Sequence, residues 1–331
     1  MKLATYLDAA GQPRTGVLTA DEVSVIDLVE AAQSFDDADV SLFQSMQQML
    51  DDFDAAKDVA SRVLESADSL PPTAVLPLSE LQLAAPLPRP RSLRDCLAFE
   101  RHLIQCMRTV AKWKSRPVAA LDAGMERVFG RGFLRPASVW YRQPIYYKGN
   151  PGSVVGPDAD VRWPSFTQRL DFELEFAIVI GRGGVNIPAS RAREHIAGFV
   201  LFNDFSARDI QFDEMAGRLG PAKSKDFDTG NALGPWLVTT ESVPDPLELR
   251  VRVNGEEWGR GSSADMQFSF EEIIEFISQD ETLFPGDVIG SGTVPGCCGL
   301  ELDRWIQPGD VVELEADGLG VLRNRVVRIS E

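Results

Sequence analysis

Between Asp171 and Phe176 the sequence alternates acid with large apolar residue: Asp171, Phe172, Glu173, Leu174, Glu175, Phe176. A period of two is the pattern of a strand with unlike faces, so Glu173 and Glu175 point the same way, their Cα atoms about 7 Å apart. Both carboxylates can then reach one hard cation at roughly 2.0 to 2.6 Å, whereas without one they repel. Asp204 closes a second apolar run beginning at Ile196, which places it at a strand end where its side chain can leave the core. An oxygen-only set built from these three acids suits Mg²⁺ or Mn²⁺, with Ca²⁺ also compatible, rather than zinc or copper. A solvated face of an antiparallel strand produces the same alternation, so the pattern alone leaves both readings open.

The elements that must carry these side chains read as follows. Residues 1–85 form a small N-terminal unit of α/β character, with short strands at Lys2–Tyr6, Gly16–Leu18 and Val23–Ile26 and helices predicted over Leu42–Met49 and Asp52–Ser66. Prolines 86, 88 and 90, set among arginines, mark a stiff connection into a larger unit over residues 91–331. Residues 100–132 are loosely helical around an interruption at 112–117, as a surface helix pair or a mobile lid would be. The last third is strand-rich and turn-rich, Pro285-Gly-Asp-Val-Ile289 being echoed by Pro308-Gly-Asp-Val-Val312.

Two further stretches sharpen the chemistry: Asn203-Asp204-Phe-Ser-Ala-Arg208-Asp-Ile-Gln211 and Lys225-Asp-Phe-Asp228-Thr229. Arg208 and Gln211 are three apart and share one face of a turn or helix starting near Asp204, a guanidinium and an amide suited to a substrate carboxylate or oxo group. With the paired glutamates before them, these segments stand in the order and approximate spacing of the fumarylacetoacetate hydrolase family, which the sequence strongly resembles over residues 91–331. That family comprises metal-dependent enzymes acting on 2-oxo acids and 1,3-diketones. The resemblance implies an α+β fold dominated by a rolled, mostly antiparallel β-structure, and homodimers.

Residue by residue, the resemblance makes Asp95 a fourth metal ligand with Glu173, Glu175 and Asp204, and His102 the general base. Glu301 becomes the residue that orients His102, because the position three residues past it, used for this purpose by other members, is Gln105. Lys225 corresponds to the active-site lysine that neutralises charge on an enolate. Tyr147, Arg208, Gln211 and Thr293 fall at substrate-contacting positions, and Asp228 and Thr229 support the metal shell. Lys148 stands where the hydrolase that names the family has histidine, and Leu97 where it has tyrosine, so the resemblance does not carry that enzyme's substrate over to this chain. The activity implied is hydrolysis of a carbon–carbon bond in a 1,3-diketone or acylpyruvate-type 2-oxo acid. Decarboxylation, hydration or isomerisation of a 2-oxo acid would use the same site, and a catalytically silent binding protein on the same fold is a third reading.

Composition sets the outer limits. A net charge of −17 excludes the basic footprint that nucleic acid or an anionic membrane demands, so the expected partner is a small molecule. Cys96, Cys106, Cys297 and Cys298 lack paired metal spacing and read as reduced thiols of a cytoplasmic protein. Met1–Asp8 breaks too soon for a signal-peptide core, and no apolar run approaches a membrane span. His195 carries no chemistry in this reading.

Overall fold

A computed structural model describes residues 1–328. Two mostly antiparallel sheets pack through one core. The larger runs in spatial order Val75–Pro77, Ser24–Asp27, Pro13–Leu18, Lys2–Leu7, Asn231–Thr239, Ile196–Asp204, Leu174–Ile180, Asp287–Gly290, Ser92–Cys96 and Tyr146–Gly149. The smaller runs Glu256–Ser262, Glu248–Val253, Val311–Ala316, Gly320–Val327 and Asp160–Arg162. Among the described residues parallel pairing is limited to three places, one of them Asp287–Gly290 beside Ser92–Cys96. The fold of the described residues is thus mixed helix and sheet, with no closed barrel among them.

The strand Leu174–Ile180 is buried on both faces. Leu174, Phe176, Ile178 and Ile180 pack into the core shared with the smaller sheet, joined by Leu249, Val251, Leu314 and Phe270. Ala177 and Val179 point the opposite way, into a second core completed by the helices Met46–Asp51 and Phe53–Glu65. Residues 1–85 are therefore tied to the rest by backbone as well as by packing: Lys2 and Leu3 pair with Val238 and Leu237, and Leu3 and Ile26 share a core with Ala177 and Phe202.

The helix expected over Leu42–Met49 starts later, at Met46, because the Ser45 side chain accepts from the Gln48 N–H and caps it; Val40–Phe43 is a separate 3₁₀ turn. In residues 100–132, helices Glu100–Lys114 and Arg116–Phe129 meet at an extended Ser115. Arg108 holds them together, donating to Asp122 at 2.7 Å and Glu126 at 2.8 Å.

Candidate active site

Three strands deliver acids to one buried point. Asp95 lies on Ser92–Cys96, in register with Gly290 on one side and Tyr147 on the other. Glu175 lies on Leu174–Ile180, and Asp204 ends the neighbouring strand Ile196–Asp204. Asp95, Glu175 and Asp204 are at most 2% exposed, and each offers an oxygen within 4.8 Å of the others. Room for Asp95 depends on Gly290, where a Cβ would sit 2.3 Å from its Oδ1. The Gly292 N–H donates to that same oxygen at 3.1 Å.

This cluster is electrostatically unfavourable by itself. Burial, together with the neighbouring acids, pushes Asp95 up to about 6 and Asp204 up to about 7, and raises Glu175 well above the carboxylate range. Glu175 Oε2 and Asp204 Oδ1 are buried with no hydrogen-bond partner. Orphaned anionic oxygens aimed into a three-carboxylate cluster are what a hard divalent cation would satisfy, so the residues present fit one.

Glu173 takes a different position. The strand begins one residue later, and Glu173 instead forms an isolated bridge to Cys298. Its carboxylate accepts from Arg208 Nη2 at 2.7 Å and from Lys225, whose ammonium also contacts Asp204. Burial opposes its ionisation, but Arg208 and Lys225 outweigh burial and hold it well below the usual range. Glu173 therefore lies between the three-acid cluster and His102, whose Nε2 is 3.9 Å away.

The imidazole stands on the first turn of Glu100–Lys114, buried, with Nδ1 at 2.7 Å from Glu301 Oε1. Glu301 Oε2 accepts from the Gly296 N–H at 2.8 Å, which fixes the carboxylate. Burial opposes a charged ring, yet Glu301 and Cys298 outweigh it and raise His102 to about 10. Glu100 is turned away, bonded by Tyr141. His195, the other histidine, is bonded to the Arg182 carbonyl at 2.8 Å, away from the acids.

Among the other expected residues, Tyr147 donates to Asp204 Oδ2 at 2.7 Å, and Thr293 lies 3.4 Å from Glu175 Oε1. Arg208 is buried, with a partner at each nitrogen: Nε on Asp171 at 2.8 Å, Nη1 on Gln211 Oε1 at 2.9 Å and Nη2 on Glu173. It orders the site's acids and also lines the cavity. Asp228 and Thr229 are not brought to the cluster. The turn after Lys225 runs outward, leaving Asp228 exposed on a separate groove beside Arg162 and Trp163, while the Thr229 hydroxyl accepts from the Arg162 N–H at 2.9 Å.

Two features escaped sequence reasoning. Asp171, fully buried, accepts from Arg208 and from the N–H groups of Gly299 and Leu300 at 2.7 and 2.9 Å, anchoring the helix Gly299–Leu302 that carries Glu301. Its place in the acid alternation was the only signal. Asp303, just past that helix, accepts from Lys112 at 2.7 Å and Trp113 Nε1 at 3.0 Å, clasping the far end of the helix that bears His102. Arg169 lies between the rings of Trp113 and Trp305, 4.6 and 4.8 Å from their centroids.

The cavity in front of these groups has a volume of about 270 Å³. Beyond the acids its wall is apolar: Leu97, Leu103, Ile145, Phe212, Met215 and Leu300. The lining cations, Arg208 and Lys225, are both already paired.

Comparison with known proteins identifies the family. The family described as Fumarylacetoacetate (FAA) hydrolase C-terminal matches residues 126–327. The human protein named oxaloacetate tautomerase FAHD2A, mitochondrial, is 35% identical over 320 residues, covering 95% of this chain and 88% of its own length. The crystal structure of a probable 2-hydroxyhepta-2,4-diene-1,7-dioate isomerase from Mycobacterium abscessus superposes with a TM-score of 0.72 at 27% identity, each chain covered completely. A maleylpyruvate hydrolase from Sphingobium sp. SYK-6, solved with manganese(II) and pyruvate, shares the fold at a TM-score of 0.70 and 20% identity, again over 100% of each chain. Since the family match spans more than half of the residues and a relative of known kind aligns almost end to end, the chain belongs to the fumarylacetoacetate hydrolase family.

Proposed function

We propose that this protein is a divalent-metal-dependent hydrolase that cleaves a carbon–carbon bond in a small acylpyruvate-type 2-oxo acid or 1,3-diketone. The observation that carries this reading is the His102–Glu301 pair, 2.7 Å apart, with His102 on the wall of a cavity that Asp95 and Glu175 also line and Asp204 clustered with those two acids. Those three acids, with Glu173 beside them, would hold Mg²⁺ or Mn²⁺. The cation would supply Lewis-acid polarisation of the substrate's adjacent oxygens and offset developing negative charge.

The chain's own groups do the rest. Glu301 accepts the Nδ1 proton and orients the ring, leaving Nε2 toward the cavity as the basic atom. There it takes a proton from water as the oxygen attacks the carbonyl distal to the carboxylate. A neutral imidazole is needed for this step; burial favours that form, while Glu301 and Cys298 oppose it. As the carbon–carbon bond breaks, the electron pair moves onto the departing enolate, where the Lys225 ammonium stabilises the charge before protonation. Because the outer cavity is apolar and its cations are committed, an uncharged acyl end suits it better than a second carboxylate.

A second reading, tautomerisation of a 2-oxo acid such as oxaloacetate, is favoured by the kind of the 35% identical relative. It needs only proton transfer at the carbon between the carbonyls, by the same imidazole. Turnover of acylpyruvates and oxaloacetate with Mg²⁺ or Mn²⁺, in ¹⁸O-labelled water and in deuterated water, separates the two. Label in a newly formed carboxylate, with two products, supports hydrolysis. Exchange at the central carbon with the skeleton intact replaces hydrolysis with tautomerisation.

A further inference from the structure

Beside the oxygen cluster, and not used by the reaction above, lies a second donor set of opposite chemical character. Cys106, one turn along the helix from His102, places Sγ 3.7 Å from Nδ1 and 3.8 Å from Nε2. Cys298, buried completely, places Sγ 4.0 Å from Nδ1 and 3.6 Å from Glu301 Oε1. One ligating atom from each of His102, Cys106 and Cys298 lies within 4.8 Å of the other two. A tetrahedral zinc site, with Zn–S near 2.3 Å and Zn–N near 2.0 Å, has ligand-to-ligand edges of about 3.5 to 3.8 Å. The observed separations are close to those edges before any adjustment. Glu301 Oε1 supplies a fourth donor after a small outward swing from its 2.7 Å contact with Nδ1.

We infer that His102, Cys106, Cys298 and Glu301 form a site for a thiophilic divalent cation such as Zn²⁺, and that filling it switches the enzyme off. Thiolate and imidazole donors select such ions, whereas the oxygen-only cluster selects Mg²⁺ or Mn²⁺, so the two sites discriminate by chemistry although they share one cavity wall. Binding forms two metal–sulfur bonds, and the two thiol protons leave to solvent; no electron is transferred. The cation takes the Nδ1 lone pair, and the proton that Nδ1 donated to Glu301 passes to Nε2, so the neutral ligated ring is protonated there. That atom can then no longer accept one from water. The inhibitory consequence rests on the base role proposed for His102, but the binding does not. Cys106 lines the active-site cavity, which provides the entry path.

The test uses the intact enzyme with saturating Mg²⁺, so that the oxygen cluster is filled, and adds one equivalent of Co²⁺ as a spectroscopic stand-in for Zn²⁺. The expected result is a near-ultraviolet thiolate-to-cobalt charge-transfer band that is bleached by Zn²⁺ and lost in Cys106→Ser and in Cys298→Ser. In parallel, Zn²⁺ inhibition measured relative to each variant's own turnover should weaken by about a hundredfold in concentration. Absence of the band in the unmutated enzyme overturns the site without any variant being needed. A band that survives both substitutions overturns it as well. If the band behaves as expected but Zn²⁺ leaves turnover unchanged, the site stands and the base role of His102 falls.

Discussion

Removing divalent metal should make this protein's stability depend on pH in a direction that the buried acids dictate. In the metal-free fold Asp204 is held at about 7 and Asp95 at about 6, against 3.8 for the free side chain. Both values are raised, so the folded state keeps protons that the unfolded chain releases. The stability contribution is therefore fully present below about pH 4 and is lost as pH rises through 6 to 7. At about 1.4 kcal/mol per pH unit, the Asp204 displacement alone is worth ~4 kcal/mol by pH 8. In a chain of this size that corresponds to a fall of several degrees in Tm. Mg²⁺ replaces the protons, so the increase in Tm that it produces should be small at pH 5 and largest near pH 8. Thermal melts of chelator-treated protein at pH 5, 6, 7 and 8, with and without excess Mg²⁺, measure this directly. Asp204→Asn should flatten the metal-free dependence, which separates the acids' contribution from that of His102. A Mg²⁺ effect of equal size at every pH, or a metal-free Tm that rises between pH 6 and 8, would refute the electrostatic account of the cluster.

Three substitutions probe the surrounding parts. Glu301→Gln removes the charge that orients and raises His102 while keeping the shape, so turnover should fall about a hundredfold or more with Mg²⁺ affinity unchanged by calorimetry; equal turnover would dissolve the dyad. Asp171→Asn leaves buried Arg208 short of a counter-charge and weakens the anchor of Gly299–Leu302, so denaturant unfolding should show a loss of about 3–5 kcal/mol. Gly290→Ala puts a methyl group against Asp95 Oδ1 at 2.3 Å and the Phe202 ring at 3.1 Å, so Mn²⁺ affinity, read by electron paramagnetic resonance, should drop about tenfold.

What could be read from the sequence was local, and what could not was set by distant partners. Period two announced that Glu173 and Glu175 lie on one strand side, but not that the strand starts at Leu174 and leaves Glu173 free to be drawn toward Arg208 and Lys225. A spacing of three put Arg208 beside Gln211, which do bond, yet no spacing reveals that Asp171 and Glu173 occupy the other two guanidinium nitrogens. Asp228 and Thr229 were expected at the metal shell through family likeness. The backbone turns outward after Lys225, which carries both toward Arg162 and Trp163 instead. The mixed, rolled antiparallel fold was expected through family likeness; its connectivity was not, because Lys2–Leu7 pairs with a strand more than two hundred residues later.

The same distinction explains why the apolar outer wall is the most informative part of the cavity. The buried acids and Lys225 speak to how a 2-oxo acid head would be held, and that chemistry is common to hydrolysis, tautomerisation and isomerisation alike. Specificity has to come from what lies beyond the head, where Leu97, Leu103, Ile145, Phe212, Met215 and Leu300 come from four separate segments. A carboxylate placed among them would lose its hydration with no unpaired cation to replace it, at a cost of several kcal/mol. Measured kcat/KM should therefore favour an acylpyruvate with a short alkyl end over its ω-carboxylated counterpart by about a hundredfold or more, since each 1.4 kcal/mol is a factor of ten. Equal or reversed preference would mean that Arg208 releases one of its three partners on binding, and Arg208→Lys would then abolish the preference for the dicarboxylate.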